Sequence, residues 1–291
     1  MSNMKLIEPK VEFFDESKVT SNQHIARCAR VCYGGEGKSH TKEQDDRLVQ
    51  GLINKGHLSM LRHGSVYLDL SRLSKIEQES ITSTISSNVF KDWGCVSCNM
   101  QEYMFGNVGD AIDDLREGSV VTMDAPEFLK LCEKNPEYFK SLRMTFCITT
   151  QIATSRELNR KSPNNIAERS TRYCSSKDGL DICKPWWWND ADEEKRNDYL
   201  KYMESAYTSY KDMLNLGFKP EDARGVLPLD TATKVVYTYT IKEWKDILDL
   251  RLYDKYGVAH PNCKVVMRMV KEQINKFLEE HDCPPEYLVW H

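Results

Sequence analysis

A chain of 291 residues with 40% hydrophobic and 29% charged residues carries enough apolar material for one large folded unit or two small ones. Forty lysines and arginines against 44 aspartates and glutamates leave a net charge of −4. That balance excludes a chain-wide electrostatic affinity for nucleic acid or a membrane surface, so an anion site has to be local. No run of 18 apolar residues occurs, and no membrane-spanning helix is expected. The opening stretch, MSNMKLIEPKVEFF, lacks the apolar core of a signal peptide. The ten cysteines therefore read as reduced thiols in a cytoplasm, a host's cytoplasm if the source is viral.

Taken in order, the chain begins with a strand at Lys10–Phe14 and a helix around 21–29 leading to Arg30-Val-Cys-Tyr33. Gly34, Gly35 and Gly37 make a loop. Thr41-Lys-Glu-Gln44 is a capping box, in which a hydroxyl and an amide satisfy free N–H groups reciprocally at a helix start. Leu48, Val49, Leu52 and Ile53 form that helix's apolar face, and Gly56 stops it. His57, Ser59, Arg62 and His63 follow as either a site edge or ordinary hydrogen-bonding residues. Residues 65–70 alternate as a strand, with Val66, Leu68 and Leu70 on one face. Over 71–140 a helical run at 74–86, a lone CxxC (Cys95 and Cys98) and a helix opened by Pro126 read as an elaboration packed on the main body. Without a second pair or neighbouring histidines the CxxC reads as two ordinary thiols, and no metal site is expected.

A β-like run at 142–149 feeds the most informative stretch, 151–174, QIATSRELNRKSPNNIAERSTRYC. Pro163 disfavours helix at the residue before it, so a short helix is expected to about Lys161, then a loop, then a second helix start near Ala167. Arg156, Arg160, Lys161, Arg169 and Arg172 stand among serines, asparagines and a threonine. Guanidinium forks beside hydroxyls and amides suit a phosphate and a heterocycle edge, although a solvated basic loop has the same composition. Trp186, Trp187 and Trp188 are expected to anchor a loop, because adjacent side chains point different ways. An amphipathic helix over 197–216 ends at Gly217, and Ala223-Arg224-Gly-Val-Leu-Pro228 makes a compact loop. A β-rich run at 233–240 precedes a helix over 243–252, and the last helix covers 262–280.

Several of these segments, in order, resemble the flavin-dependent thymidylate synthases. That family carries Arg-His-Arg, seven residues, then Ser, followed shortly by Arg-Tyr. Here Arg160-Lys161-Ser162 is followed, after seven residues, by Ser170, Thr171, Arg172 and Tyr173, with Glu168 two before the serine. Gly56-His57-Leu58-Ser59 followed by His63 is similar to the family's Gly-His-x-Ser/Thr segment, and Ala223-Arg224 to Pro228 to its Ala-Arg-x-x-Leu-Pro loop. Thr238 to Trp244 and Leu250-Arg251 fit its Thr-x-Asn-x-Arg-x-Trp and Leu-Arg segment. The departures cluster. Lys161 and Ser162 replace a His and an Arg, Arg62 replaces a Glu, and Thr240 and Lys242 replace an Asn and an Arg. These positions mostly face the flavin in the family, whereas nucleotide-facing positions are largely kept.

The resemblance implies an α/β (α+β) fold with a mixed central sheet flanked by helices, one thymidylate synthase-like domain over 1–291, and a homotetramer with active sites between subunits. It implies methylation of dUMP to dTMP, with methylenetetrahydrofolate as carbon donor and reduced FAD, reloaded by NADPH, as hydride source. Arg251 and Ser170 are the implied catalytic residues, Arg251 at the carbonyl and N3 edge of the pyrimidine. The implied dUMP residues are Glu157, Arg160, Glu168, Ser170, Thr171, Arg172, Arg224 and Arg251. The implied FAD residues are Ser59, His63, Arg160, Lys161, Ser162, Glu168, Thr240 and Lys242. Lysine supplies charge at two of these positions but not the bidentate fork. Two other readings stand beside this one. One is a relative that transfers a one-carbon unit to a pyrimidine nucleotide with weak or absent flavin. The other is a non-catalytic nucleotide binder.

Overall fold

The computed structural model describes residues 3–35, 37–86, 94–160, 165–172, 176 and 179–284. The chain runs β1 (Met4–Ile7), β2 (Lys10–Phe14), α1 (Ser21–Tyr33), α2 (Lys42–Asn54), β3 (Ser65–Asp69), α3 (Lys75–Thr84), β4 (Cys95–Asn99), α4 (Met100–Phe105), α5 (Asn107–Asp113) and β5 (Val121–Met123). It continues through α6 (Ala125–Lys134), β6 (Arg143–Gln151), α7 (Ile152–Leu158), β7 (Ile166–Glu168), β8 (Leu180–Cys183), α8 (Glu193–Asn215), α9 (Pro220–Ala223), β9 (Ala232–Thr240), α10 (Ile241–Arg251) and α11 (Pro261–Glu280). Helix starts follow local chemistry. The Thr41 and Gln44 side chains form the expected reciprocal cap on α2, and Thr20 with Gln23 does the same on α1. Gly56 takes a φ of +72°, a conformation that suits glycine at a helix exit.

The central sheet has the order β2-β6-β9-β7 and is antiparallel throughout. The parallel pairing joins β1 to β8 in a separate two-stranded sheet. β6 and β9 pair over nine residues, from Arg143 opposite Thr240 to Gln151 opposite Ala232. Alternation then divides the core. Met144, Phe146, Ile148, Val235, Tyr237 and Tyr239 face α10 and α11, packing on Trp244, Ile247, Val266, Val270 and Ile274. Cys147 and Val236 face the other way, onto Phe14 of β2 and Cys28 and Val31 of α1. The result is a sheet held between helices on both faces.

Residues 71–140 contribute most of a second sheet, β4-β3-β5. Val66, Leu68 and Leu70 on one face of β3 build a smaller cluster with Ile81, Val96 and Val108. Tyr67, on the other face, stacks on Phe128 at 4.1 Å within the main core, and its hydroxyl accepts the Arg143 N–H at 3.1 Å. The CxxC is divided in the same way. Residues three apart on a strand face opposite sides, so Cys95 enters the main core and Cys98 the smaller one. Burial pushes each thiol up to about 12, and no metal-ligating cluster occurs among the described residues.

One expected element is different. Where a helix start near Ala167 was expected, Ile166–Glu168 is β7, paired antiparallel with Tyr237, Val236 and Val235. The exposed edge of β9 supplies partners that no local propensity announces. The tryptophan run anchors its loop as expected. Trp187 and Trp188 pack edge-on against Tyr199 of α8 at 5.2 and 6.0 Å, and the Trp186 N–H donates to Asn262 of α11.

A buried hydrogen-bonded string crosses the α1 side of the sheet. His24 Nε2 meets Thr145 Oγ1 at 3.0 Å, Thr145 meets Thr238 at 2.8 Å, and Thr238 meets His63 Nδ1 at 2.8 Å. Burial, reinforced by His24, Arg143 and Arg62, lowers the His63 pKa to about 3, and burial lowers His24 as well. An unfolded histidine titrates near ~6.5, so below that value the unfolded state binds more protons than the folded one. This stabilisation is therefore present above pH ~6.5 and is lost as pH falls toward 3. Urea unfolding from pH 7 to 4.5 is expected to show stability declining by up to about 1.4 kcal/mol per pH unit from His63 alone. A pH-independent stability over that range would contradict the burial of this string.

Candidate functional site

β6 runs directly into α7 at Gln151, whose buried amide fixes the junction. Its Nε2 donates to the carbonyls of Cys183 and Lys184 at 3.3 and 3.1 Å, and its Oε1 accepts from the Thr150 and Thr154 hydroxyls. α7 therefore starts at a fixed place and turns Ser155 and Arg156 toward one cavity. The return strand β7 brings Glu168 opposite Val235. Beyond it, the Arg169 N–H donates to the Lys234 carbonyl at 2.8 Å and the Ser170 N–H to the Cys32 carbonyl at 2.9 Å. These two bonds fasten the segment to both β9 and α1.

The cavity that results measures about 710 Å³. Its polar wall carries Glu168, Ser170, Thr171, Arg172 and Arg224, and its apolar wall carries Ile152, Leu227, Pro228 and Leu229. Arg224 comes from a 3-10 turn, Arg224–Val226, which follows α9 directly. Its Nη1 donates to Thr171 Oγ1 at 2.6 Å and its Nε to the Glu221 carbonyl at 3.1 Å. Arg172 Nε donates to Glu221 Oε2 at 3.0 Å. Two guanidinium groups from segments about 50 positions apart are thus held at one rim by Glu221 and Thr171. Cations on one side and an apolar wall on the other suit a ligand with an anionic group and a flat ring.

Glu168 is held more tightly. Its Oε1 accepts from Ser155 Oγ at 2.7 Å and Thr233 Oγ1 at 3.1 Å, and its Oε2 accepts from Asn159 Nδ2 at 3.1 Å. Asn159 Oδ1 in turn accepts from the Tyr237 hydroxyl at 2.7 Å. Three donors on one carboxylate fix its direction at the cavity wall. Sequence reasoning did not single out Ser155, Asn159, Thr233 or Glu221. Ser155 and Asn159 lay in the quoted motif stretch with Glu168, whereas Thr233 and Glu221 lay outside it.

Other expected site residues lie elsewhere in the chain. Arg251, at the end of α10, pairs its Nη1 with Glu157 Oε1 at 3.3 Å, and the same oxygen accepts the His260 N–H at 3.4 Å. Neither Arg251 nor Glu157 lines the cavity. Arg160 is exposed just past α7, and Ser59 is exposed on a 3-10 turn, Leu58–His63. His63 has no exposed surface, because its ring completes the buried string with Thr238. Thr240 is the N-cap of α10 and is bound reciprocally to Glu243, while Lys242 pairs with Asp246 at 3.6 Å. Lys161 and Ser162 lie outside the described residues. Of the residues expected at flavin, Glu168 alone among those described lines this cavity.

Residues 116–278 match the family model described as thymidylate synthase complementing protein. A flavin-dependent thymidylate synthase from Pyrococcus furiosus is 32% identical over 89 residues, covering 31% of this chain and 32% of that protein. One from Haloarcula marismortui is 36% identical over 59 residues, covering 20% of this chain and 24% of that protein. The matched segments thus span a third or less of either curated relative. Among solved structures, a UMP/dUMP methylase, PolB, from Streptomyces cacaoi bound with 5-Br dUMP is 18% identical with a TM-score of 0.44, covering 94% of this chain and 92% of that one. The same methylase bound with 5-Br UMP gives 16% identity and a TM-score of 0.45, over 99% and 98% of the two chains. The family match takes in the Arg160 to Arg172 stretch, the Arg224 loop and the α10 segment, which carried most of the resemblance, leaves out the Gly56 to His63 segment, and covers more than half of the chain. The chain belongs to the thymidylate synthase complementing protein family, that of the flavin-dependent thymidylate synthases.

Proposed function

We propose that this protein methylates a pyrimidine nucleoside monophosphate at C5, dUMP being the substrate that family membership favours. The observation that carries this reading is the convergence of Arg172, Arg224, Ser170, Thr171 and Glu168 on one cavity. In the proposed mode the 5′-phosphate sits between Arg172 and Arg224, with the hydroxyls of Ser170 and Thr171 beside it. The pyrimidine lies along the apolar wall toward α7. Glu168, held by Ser155, Thr233 and Asn159, orients the nucleotide from the sheet side. The ring becomes a carbon nucleophile when a cation stabilises negative charge developing at its carbonyl and N3 edge. Arg251 is the residue proposed for that work. It lies outside the cavity of its own chain, so the reading includes a homotetramer in which Arg251 of one copy completes the site of another.

The finer reaction is dTMP formation with methylenetetrahydrofolate as carbon donor and FAD, reduced by NADPH, as hydride carrier. Product mass after incubation with dUMP, methylenetetrahydrofolate, FAD and NADPH tests it directly. dTMP is expected, and a nucleotide left unchanged under that mixture would overturn the proposal. A second reading, a one-carbon transferase with weak or absent flavin, is favoured by the dispersal of Ser59, His63, Thr240 and Lys242. A hydroxymethyl product, together with a colourless purified protein, would select it.

Arg251→Ala gives a further test. Turnover is expected to fall by about 100-fold or more, the scale of losing one aimed electrostatic stabiliser, with the fold intact by circular dichroism. Undiminished turnover would remove Arg251 from the mechanism.

A further inference from the structure

A second concavity of about 460 Å³ lies on the opposite face of the central sheet. Thr233 lines the first cavity and its neighbour Lys234 lines the second, and successive strand residues point to opposite faces. One small ligand cannot occupy both. The floor is apolar, made by Phe14, Val31 and Cys147. The walls carry five cations, Lys10, Arg27, Arg30, Lys38 and Lys234, drawn from β2, α1, the α1–α2 connection and β9.

Ordinary structural duties account for part of this lining. Lys10 pairs with Glu12 at 3.1 Å, Arg30 pairs with Asp45, and the Arg27 guanidinium sits 3.6 Å from the centre of the Phe14 ring. Among the described residues, five cations and one carboxylate, Glu12, line this concavity in a chain whose net charge is −4. Gathering like charges in a concave, partly apolar space is unfavourable unless an anion compensates them, and such a space focuses the field on an incoming anion. A separate observation points the same way. His40, on the same wall, has a buried Nε2 with no hydrogen-bond partner among the described residues. Buried polar atoms ordinarily have a partner, and a ligand oxygen supplies one.

We propose that this second cavity binds a small phosphate-bearing anion, independently of the nucleotide cavity. Guanidinium and ammonium groups are the side chains that take phosphate oxygens, and the Phe14 floor accommodates the apolar part of an organic phosphate. Titration calorimetry with inorganic tripolyphosphate, and in parallel with a nucleoside triphosphate, tests this and separates a bare polyphosphate from a nucleotide that uses the floor. Saturable binding is expected, weakened about ten-fold or more by Lys38→Glu and by Lys234→Glu and unchanged by Arg224→Ala. Lys38 is exposed on a loop, so its variant is expected to fold even if the Lys234 variant does not. Absence of saturable binding by both probes would overturn the proposal. So would binding that survives Lys38→Glu and is lost in Arg224→Ala, because the probe would then occupy the first cavity.

Discussion

Replacing Arg172 and Arg224 together by alanine is expected to weaken dUMP binding by about 100-fold or more while leaving thermal stability nearly unchanged. A hydrogen bond to a charged group contributes about 1.5–3 kcal/mol, so removing two such partners of one phosphate predicts a loss of about 3–6 kcal/mol. Both side chains lie at the surface, Arg172 with 55% of its side chain exposed, and their anchors are Glu221 and Thr171 rather than the core. An exposed ion pair such as Arg172 with Glu221 contributes only about 0–1 kcal/mol to folding. The variant therefore separates binding from stability. Calorimetric titration with dUMP reads the first and a thermal melt the second. Single Arg→Lys changes are expected to fall between wild type and alanine, because an ammonium keeps the charge and loses the fork. An unchanged Kd in the double variant would sink the proposed phosphate position.

Trp244→Ala is expected to cost about 3–5 kcal/mol of folding stability, enough to leave a domain of ordinary stability marginal. Trp244 is 1% exposed, and it packs edge-on against Phe146 and Tyr239 at 5.2 and 5.5 Å. Its Nε1 donates to the Met144 carbonyl at 3.0 Å, tying α10 to the strand beneath it. Truncation removes a large volume where sheet and helices meet and leaves that carbonyl without its partner. Trp244→Phe keeps much of the volume and loses the hydrogen bond, so a smaller loss of about 1–3 kcal/mol is expected. Urea unfolding at pH 7 measures both. A loss below about 1 kcal/mol for the alanine variant would show that this packing is not what holds α10 on the sheet.

The same residue shows how far local chemistry reaches. Helical spacing of Trp244, Ile247 and Leu248 was visible in the sequence, and α10 buries those three side chains together with Ile241 and Glu243. The capping box at Thr41 announced α2 because the interaction spans only three residues, and the structure adds one at Ser74 that starts α3. Short strands were not announced. Met4–Ile7, Ile166–Glu168 and Leu180–Cys183 have three or four residues each, and they exist because a partner strand lies beside them. Short segments like these have too weak a preference of their own to declare a conformation.

By itself the sequence determined the family. Arg160, Glu168, Ser170, Arg172, Arg224 and Arg251 stand at recognisable separations, and separation along a chain needs no structure to be measured. It also determined the long helices and the two long central strands, whose periodicity repeats often enough to be distinctive. Only the tertiary structure decided which of those residues meet. Arg172 and Arg224 share a rim because Thr171 and Glu221 bridge them across about 50 positions, whereas Arg251 is held on Glu157 outside the same cavity. It likewise placed His63 in the core and split Cys95 from Cys98, because which side of a strand a residue faces matters only once both sides are covered.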